Sequence, residues 1–341
     1  MRVDIIGGGI AGLTAAASLK KHNPKIEVIV HERHSKIGDN VDGRRCGEAH
    51  SLESEWDRWI PSKESIYSNI LVGKTFVGEK TYILRRKPGT AFILNRPVFI
   101  KQLASEAEAL EAIIQTNDEI KTVEELDGDY IIDASGSPGL IKRELKIDKG
   151  LKAVAYQQSL RDANCFKEDT VEIIYSFRYG LGYYWIFPRN PEIREVNVGV
   201  GFVDKPDVSL KTLLEEFKEK HKIEGKINYT TGGFVPIGLQ PPLMIDNILF
   251  VGDTGVGTFP LTGQGIYRAL ISGYDAGRCI AEGKPNLYPK IIREKFIKWD
   301  VIGKTIILCS NVFHKIDESA AFSFFNLFIY LSSRAHLWSV G

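Results

Sequence analysis

"VDIIGGGIAGLTAAASLKKHNPKIEVIVHE", residues 3–32, decides the fold. It opens on "VDIIG", a short apolar run that predicts a strand. Gly7, Gly9 and Gly12 follow in "GGGIAG", and "LTAAASLKK" predicts a helix to about Lys21. A second apolar run, "IEVIVHE", ends on Glu32, twenty residues beyond Gly12. Strand, glycine turn, helix, strand and acidic residue is the order a dinucleotide-binding βαβ unit requires. Gly7 allows the tight turn, Gly9 lets the backbone approach a pyrophosphate, and Gly12 lets helix and strand pack closely. Ile10 and Ala11 open the helix, whose free N–H groups favour a phosphate. Glu32, with Arg33 beside it, is placed to accept from a ribose hydroxyl. A purely structural βαβ turn is the competing reading, and the complete context disfavours it. The fingerprint does not separate FAD from NAD(P).

Two later segments have the same character. Residues 247–266, "NILFVGDTGVGTFPLTGQGI", run an apolar strand into Asp253 and then a glycine-rich loop through Pro260 to Gly263, Gly265 and Ile266. A helix follows, so one carboxylate and one positive helix end are delivered together. Asp253 can bind a polyol hydroxyl, and amides around Gly265 can face developing negative charge on a ring carbonyl. Between the two glycine segments, "DGDYIIDASGSPG" (127–139) predicts a strand ending at Ala134, Ser135 and Gly136. Each alone reads as one more strand–helix connection. "ILNRPVFIKQLASEAEAL" (93–110) predicts a strand, Arg96 and an amphipathic helix.

The order of these segments resembles the FAD-dependent oxidoreductases with the aromatic-hydroxylase type of fold. That resemblance implies FAD, with Arg96 reaching it, the Ala134–Gly136 turn near its pyrophosphate, and the Asp253 segment on its ribitol and pyrimidine. Two further motifs narrow the family. In "GLGYYWIFPR" (180–189), Tyr183, Trp185 and Phe187 alternate and would share one face of a strand. From spacing alone such a stripe is more often core than ligand wall. It is, however, similar to the YxWxFP signature of the geranylgeranyl reductase family, which lines a cavity for a long isoprenoid chain. "RRCGEA" (44–49) looks like that family's cysteine segment, with Cys46 facing the flavin and Arg45 and Gly47 beside it.

The family reduces isolated C=C bonds in prenyl chains. The resemblance therefore implies a prenyl or isoprenoid lipid substrate, with Tyr183, Trp185, Phe187 and Pro260 lining its site. An isolated trisubstituted alkene is not polarised, so an acid must supply a proton as cationic charge develops. Cys46 is the first candidate for that acid, or for a group that tunes the flavin. Arg44 and Arg45 would favour its thiolate if close. Tyr183 is the second candidate acid; Glu48 and His50 are weaker and expected to be solvated. An inert buried thiol is the bland alternative for Cys46. Residues 111–133 are short compared with related flavoproteins, and the chain is shorter than the larger lipid reductases. Both departures point to a smaller or more open pocket.

The chain totals exclude other classes. At 341 residues it can hold two structural units, and a net charge of +1 leaves no basic excess for nucleic acid. The four cysteines make no CxxC pair or metal spacing, so no metal is expected and the thiols should be reduced. No signal-peptide pattern opens the sequence, which makes a cytoplasmic location the expectation. No second glycine fingerprint exists, so electrons should come from NAD(P)H bound transiently or from a ferredoxin. The apolar run from Ala320 to Leu331 falls short of the ~20 residues a spanning helix needs. It should pack as a core helix, with peripheral contact at a membrane surface as an added role.

The expected architecture is α/β: a discontinuous Rossmann-like FAD-binding domain (1–70, 96–150 and 245–284), an antiparallel substrate sheet (71–95 and 151–244) and a C-terminal helical segment (285–341). Two rivals to a prenyl reductase stand beside it. One is a flavin-dependent monooxygenase or halogenase of the same fold, because YxWxFP echoes the WxWxIP of tryptophan-type halogenases. The other is a prenyl-lipid carrier that keeps FAD without turnover.

Overall fold

The computed structural model describes residues 1–39, 47–52 and 59–334. In chain order the first elements are β1 (Arg2–Ile6), α1 (Ile10–His22), β2 (Glu27–Glu32), β3 (Ala49–Ser51), β4 (Ile66–Asn69), β5 (Val72–Val77), β6 (Lys80–Arg85) and β7 (Ala91–Leu94). Next come α2 (Arg96–Ala109), β8 (Ile113–Thr116), β9 (Tyr130–Asp133), α3 (Leu140–Glu144), β10 (Lys152–Arg161), β11 (Thr170–Ser176), β12 (Gly182–Pro188) and β13 (Val196–Phe202). The chain ends with α4 (Leu210–Lys220), β14 (Lys226–Pro236), β15 (Met244–Ile245), β16 (Ile248–Phe250), α5 (Ile266–Ala281), α6 (Tyr288–Ile316) and α7 (Glu318–Arg334).

Two compact units result, each built from three stretches of chain. The first holds residues 1–41, 96–152 and 235–303. Its sheet runs β15-β16-β9-β1-β2-β8, and every pair but β15–β16 is parallel. The middle strands are apolar in consecutive positions rather than alternate ones: Val28, Ile29 and Val30 of β2 are all buried. A parallel sheet covered on both faces demands that pattern. The expected strand–helix–strand unit is therefore present, with α1 starting at Ile10 and ending one residue beyond the expected Lys21.

Alongside α1 runs α5, and the two are parallel. A Cβ on Gly273 would lie 2.2 Å from the Ala11 carbonyl oxygen, and one on Gly277 would lie 2.5 Å from that of Ala15. Small residues on α5 thus bring the two backbones into direct contact. The contact comes seven residues into α5 but only one residue into α1. At ~1.5 Å per residue, the N-terminus of α5 projects about 9 Å beyond that of α1, on the same side.

The second unit holds residues 42–95, 153–234 and 304–341. Its main sheet runs β14-β10-β13-β12-β11-β5-β6, and a small sheet runs β3-β7-β4. The sequence reading expected an antiparallel sheet, but β5 pairs with β11 in parallel. The β5–β6 hairpin comes from a chain segment almost a hundred residues before β11, a separation that permits a parallel crossover. The same reading assigned residues up to 70 to the dinucleotide domain. Instead, β3 and β4 pair with β7 in the second unit, because their partners lie downstream. The division between units falls inside α6, not at residue 285.

One face of the main sheet packs on α4, where Ile186, Val198, Val200, Phe202, Leu213 and Phe217 form a core. The last helix also packs, with Ala321, Phe325 and Ile329 buried at helical spacing. Among the described residues no helix is long and apolar enough to cross a membrane.

Candidate functional site

In the first unit the glycine fingerprint forms a cradle at the end of β1. Gly7 has φ +101°, and a Cβ there would lie 2.7 Å from the Ala134 carbonyl oxygen. A side chain at Gly12 would be 2.0 Å from the Gly7 carbonyl oxygen, so only glycine lets α1 start so close to the strand. Gly9 differs: nothing lies within 4 Å of where its Cβ would be. It is half-exposed and caps α1, so open space lies directly before a helix N-terminus. That is the concavity a pyrophosphate fits.

Glu32 closes one side of the cradle and is already engaged. Its Oε2 accepts from the Gly8 N–H at 2.8 Å, and its Oε1 accepts from the His34 N–H at 2.9 Å and meets His34 Nδ1 at 2.6 Å. Each oxygen has spare acceptor capacity only in part, so His34, which the sequence reading missed, fixes the carboxylate's orientation. Arg33 is exposed at the end of β2. On the other side, Ala134 and Gly136 are half-buried, while the Ser135 hydroxyl donates to Asp133 at 2.5 Å and accepts from the Leu140 N–H at 2.7 Å. Ser135 therefore shapes the turn through its side chain.

Asp253 leads the second glycine segment. Its side chain is exposed, yet dense surrounding protein pushes its carboxyl pKa up, opposed by the charge of Arg96. Gly265, the cap of α5, is beside it: a Cβ there would be 3.8 Å from Asp253 Oδ1. Gly263 takes φ +68°, and Ile266 starts the helix. Pro260 is buried, 2.7 Å from where a Cβ on Gly303 would be. Beneath this loop Arg268, fully buried, donates to Asp300 at 2.7 and 3.1 Å and to the Val256 carbonyl at 2.6 Å. Burial lowers its pKa against the pull of Asp300, and Phe259 and Phe296 stack on the guanidinium. Neither partner stood out in the sequence, since a single charge on a helix reads as surface.

In the second unit the aromatic motif lies on the sheet face opposite α4. Tyr183, Trp185 and Phe187 are half-buried, whereas Ile186 and Pro188 on the other side are buried. The register places Gly201 beside Tyr183, Gly199 beside Trp185 and Asn197 beside Phe187. A Cβ on Gly199 would be 2.1 Å from Trp185 Cζ2, so the indole lies flat over β13. Its Nε1 donates to Gln157 Oε1 at 2.9 Å. Tyr175 packs edge-on to Tyr183 at 5.6 Å, with burial pushing the Tyr183 phenol up to about 12. The alternating glycines of "VNVGVGF" (196–202) were the available signal for this floor, and the sequence reading passed over them.

Cys46 and Arg45 lie outside the described residues. Gly47 is described, and a Cβ there would be 3.0 Å from the Phe187 ring and 3.8 Å from Trp185 Nε1. Glu48 and His50, expected to be solvated, are 1 % and 4 % exposed. Burial pushes the His50 pKa down to about 4. Glu48 Oε2 accepts from Arg189 Nε at 2.6 Å, and Arg189 NH1 donates to Glu195 at 2.5 Å. Burial opposes the charge on Arg189, but Glu48, Tyr229 and Glu195 outweigh it and raise its pKa. Glu195 also accepts from Ser159 at 2.6 Å and Asn228 at 2.7 Å. A sequence offers no sign that residues 141 positions apart neutralise each other. No cluster able to hold a metal ion occurs among the described residues.

Fold and cradle together are those of a Rossmann-like α/β protein, a fold shared with flavoprotein reductases and halogenases. Residues 5–59 match the NAD(P)-binding Rossmann-like domain family. Over most of its length the chain is similar to digeranylgeranylglycerophospholipid reductases. It is 28% identical to that of Methanocella arvoryzae over 319 residues, covering 82% of this chain and 77% of the relative. It is 29% identical to that of Methanocaldococcus jannaschii, covering 81% and 75%. Among solved structures, a geranylgeranyl bacteriochlorophyll reductase-like protein from Thermoplasma acidophilum has a TM-score of 0.77 at 22% identity, over 90% of this chain and 87% of that one. A flavin-dependent halogenase has a TM-score of 0.67 at 19% identity, over 95% and 67%. The resemblance to geranylgeranyl reductases read from the sequence is thus borne out.

Proposed function

We propose that this protein is an FAD-dependent reductase that saturates isolated C=C bonds of a geranylgeranyl chain carried by an isoprenoid lipid. The observation that carries the reading is the aromatic face of β12, laid flat on a glycine floor in a chain that also has a dinucleotide cradle. Halogenases share the fold, but an aromatic wall of Tyr183, Trp185 and Phe187 suits a long apolar chain.

Gly7, Gly9, Ile10, Ala11 and Gly12 would hold the pyrophosphate at the N-terminus of α1. Glu32, Arg33 and Arg96 would meet the sugar and phosphate groups, with Ala134, Ser135 and Gly136 closing the turn. Asp253 would bind the polyol, and Gly263, Gly265 and Ile266 would present the second helix end to the ring. When bound, the flavin supplies the reducing equivalents. The aromatic face excludes water and holds the alkene extended. Cys46, next in the chain to Gly47, would deliver the proton from its thiol. Tyr183 keeps its own proton at neutral pH and releases it reluctantly. NAD(P)H bound transiently or a ferredoxin would reload the site. Leu308, Val312 and Ile316 of α6 and Leu327 and Leu331 of α7 are exposed and would meet the lipid surface from which substrate is drawn.

The test is anaerobic. Protein reconstituted with FAD and reduced by dithionite should be reoxidised by geranylgeranylated glycerophospholipid, with two hydrogens gained per double bond in mass spectra. Failure to take up flavin, or reoxidation by dioxygen alone with a hydroxylated or halogenated product, would overturn the reading.

A further inference from the structure

Glu48 is unusual in combining φ +63° with a side chain that is 1 % exposed. A left-handed backbone is costly for a residue with a Cβ and persists only where surroundings enforce it. Downstream, its position is fixed by the β3–β7 ladder, which starts at Ala49–Ile93, and its own carbonyl accepts from the Leu94 N–H at 2.9 Å. Upstream, Gly47 lies against Phe187 and Trp185. Glu48 is therefore the pivot at which the chain leaves the small sheet and turns onto the aromatic face. The side chain at that pivot is held by Arg189, the residue immediately after the Phe187–Pro188 end of the motif.

We infer that Glu48 and Arg189 are a positioning pair, whose buried ion pair locks the pivot and keeps Gly47 seated on Phe187 and Trp185. The inference rests on the proposed reductase reading only for its catalytic consequence. Without the clamp, nothing on the Glu48 side chain restrains the turn, and residue 48 can leave its left-handed conformation and swing Gly47 off the wall. Arg189 is itself anchored from behind by Glu195, and its ring contact with Tyr67, 4.6 Å from guanidinium to centroid, limits its movement. The anchor is rigid, and the clamped residue is the one under strain.

Arg189 faces two carboxylates among the described residues, so removing one leaves a one-to-one pair with Glu195. This permits a variant that separates positioning from folding. Glu48→Gly tolerates the left-handed turn and removes the clamp, whereas Glu48→Gln keeps an acceptor for Arg189 Nε. With Glu48→Gly, flavin uptake and the thermal midpoint should stay near wild type. Amide exchange across residues 47–52 should quicken by about ten-fold or more. The kcat for alkene reduction should fall about 10–100-fold with little change in KM, the usual consequence of misplacement by ~1 Å. Glu48→Gln should restore slow exchange and most of kcat.

Unchanged exchange in Glu48→Gly, or a Glu48→Gln variant as impaired as Glu48→Gly, would overturn the inference. So would a lower thermal midpoint with kcat per folded molecule intact. If Glu48→Gly does not fold, Arg189→Lys is read by the same exchange measurement. Should the wild type take up no flavin, the reductase reading falls, while the exchange comparison still decides whether the pair holds the segment.

Discussion

Gly199→Ala tests whether the aromatic wall depends on its floor. The new Cβ would sit 2.1 Å from Trp185 Cζ2 and 2.3 Å from Cε2. Ordinary carbon contacts are ~3.5–4.0 Å, so the indole must retreat by about 1.5 Å. Overpacking of this kind costs about 1–3 kcal/mol. The retreat also pulls Trp185 Nε1 from Gln157 Oε1, now 2.9 Å apart with Gln157 only 2 % exposed. Leaving such a buried group unmatched costs about 1–3 kcal/mol. Replacing a strand glycine by alanine returns roughly 0.5–1 kcal/mol. The net loss is about 1–5 kcal/mol, centred near 3 and at most the lower end of the ~5–15 kcal/mol that holds a domain together, so the protein should still fold. At that centre its thermal midpoint should drop by roughly 6–12 °C. Near-ultraviolet circular dichroism should change as Trp185 moves, and turnover of a geranylgeranyl lipid should fall more than flavin affinity. Gly233→Ala is the control, because nothing lies within 4 Å of its Cβ position. A Gly199→Ala protein indistinguishable from Gly233→Ala in midpoint, dichroism and turnover would show that the aromatic wall does not rest on Gly199.

The cradle can be tested in two ways. Gly12→Ala should abolish flavin uptake with loss of stability, whereas Gly9→Ala, entering open space, should leave the thermal midpoint alone and weaken flavin binding in a fluorescence titration. Asp300→Asn should destabilise the protein by about 3–5 kcal/mol in urea titrations, because it leaves Arg268 buried without its counter-charge. His50 gives an acid-side signature. Its folded pKa, about 4, is below the ordinary value of 6.5, so the unfolded chain binds the extra proton. Stability attributable to this group is complete above pH 6.5 and is lost as pH falls toward 4, by about 3 kcal/mol in all. His50→Gln should flatten urea midpoints across that window, and an unchanged slope would remove His50 as the cause.

The dinucleotide half of this protein was legible because its rules are local. Gly7, Gly12, the helix after them and the apolar run ending at Glu32 lie within one short stretch, and backbone sterics dictate what they form. The alternation of Tyr183, Trp185 and Phe187 likewise fixed which side chains share a face, since a strand's period is two. What local rules could not supply was the partner of each charged group and the orientation of each face. Glu48 read as a solvated acid, and only the fold brings Arg189 to it from 141 residues away. Arg268 and Asp300 meet only because α5 and α6 pack together, and β5 lies parallel to β11 only through a crossover that spacing does not encode. The face with Tyr183, Trp185 and Phe187 became a candidate wall rather than core once α4 took the opposite side of the sheet. Buried charge and strand pairing are long-range properties, settled by which surfaces must leave water together, and a chain read in order does not contain them.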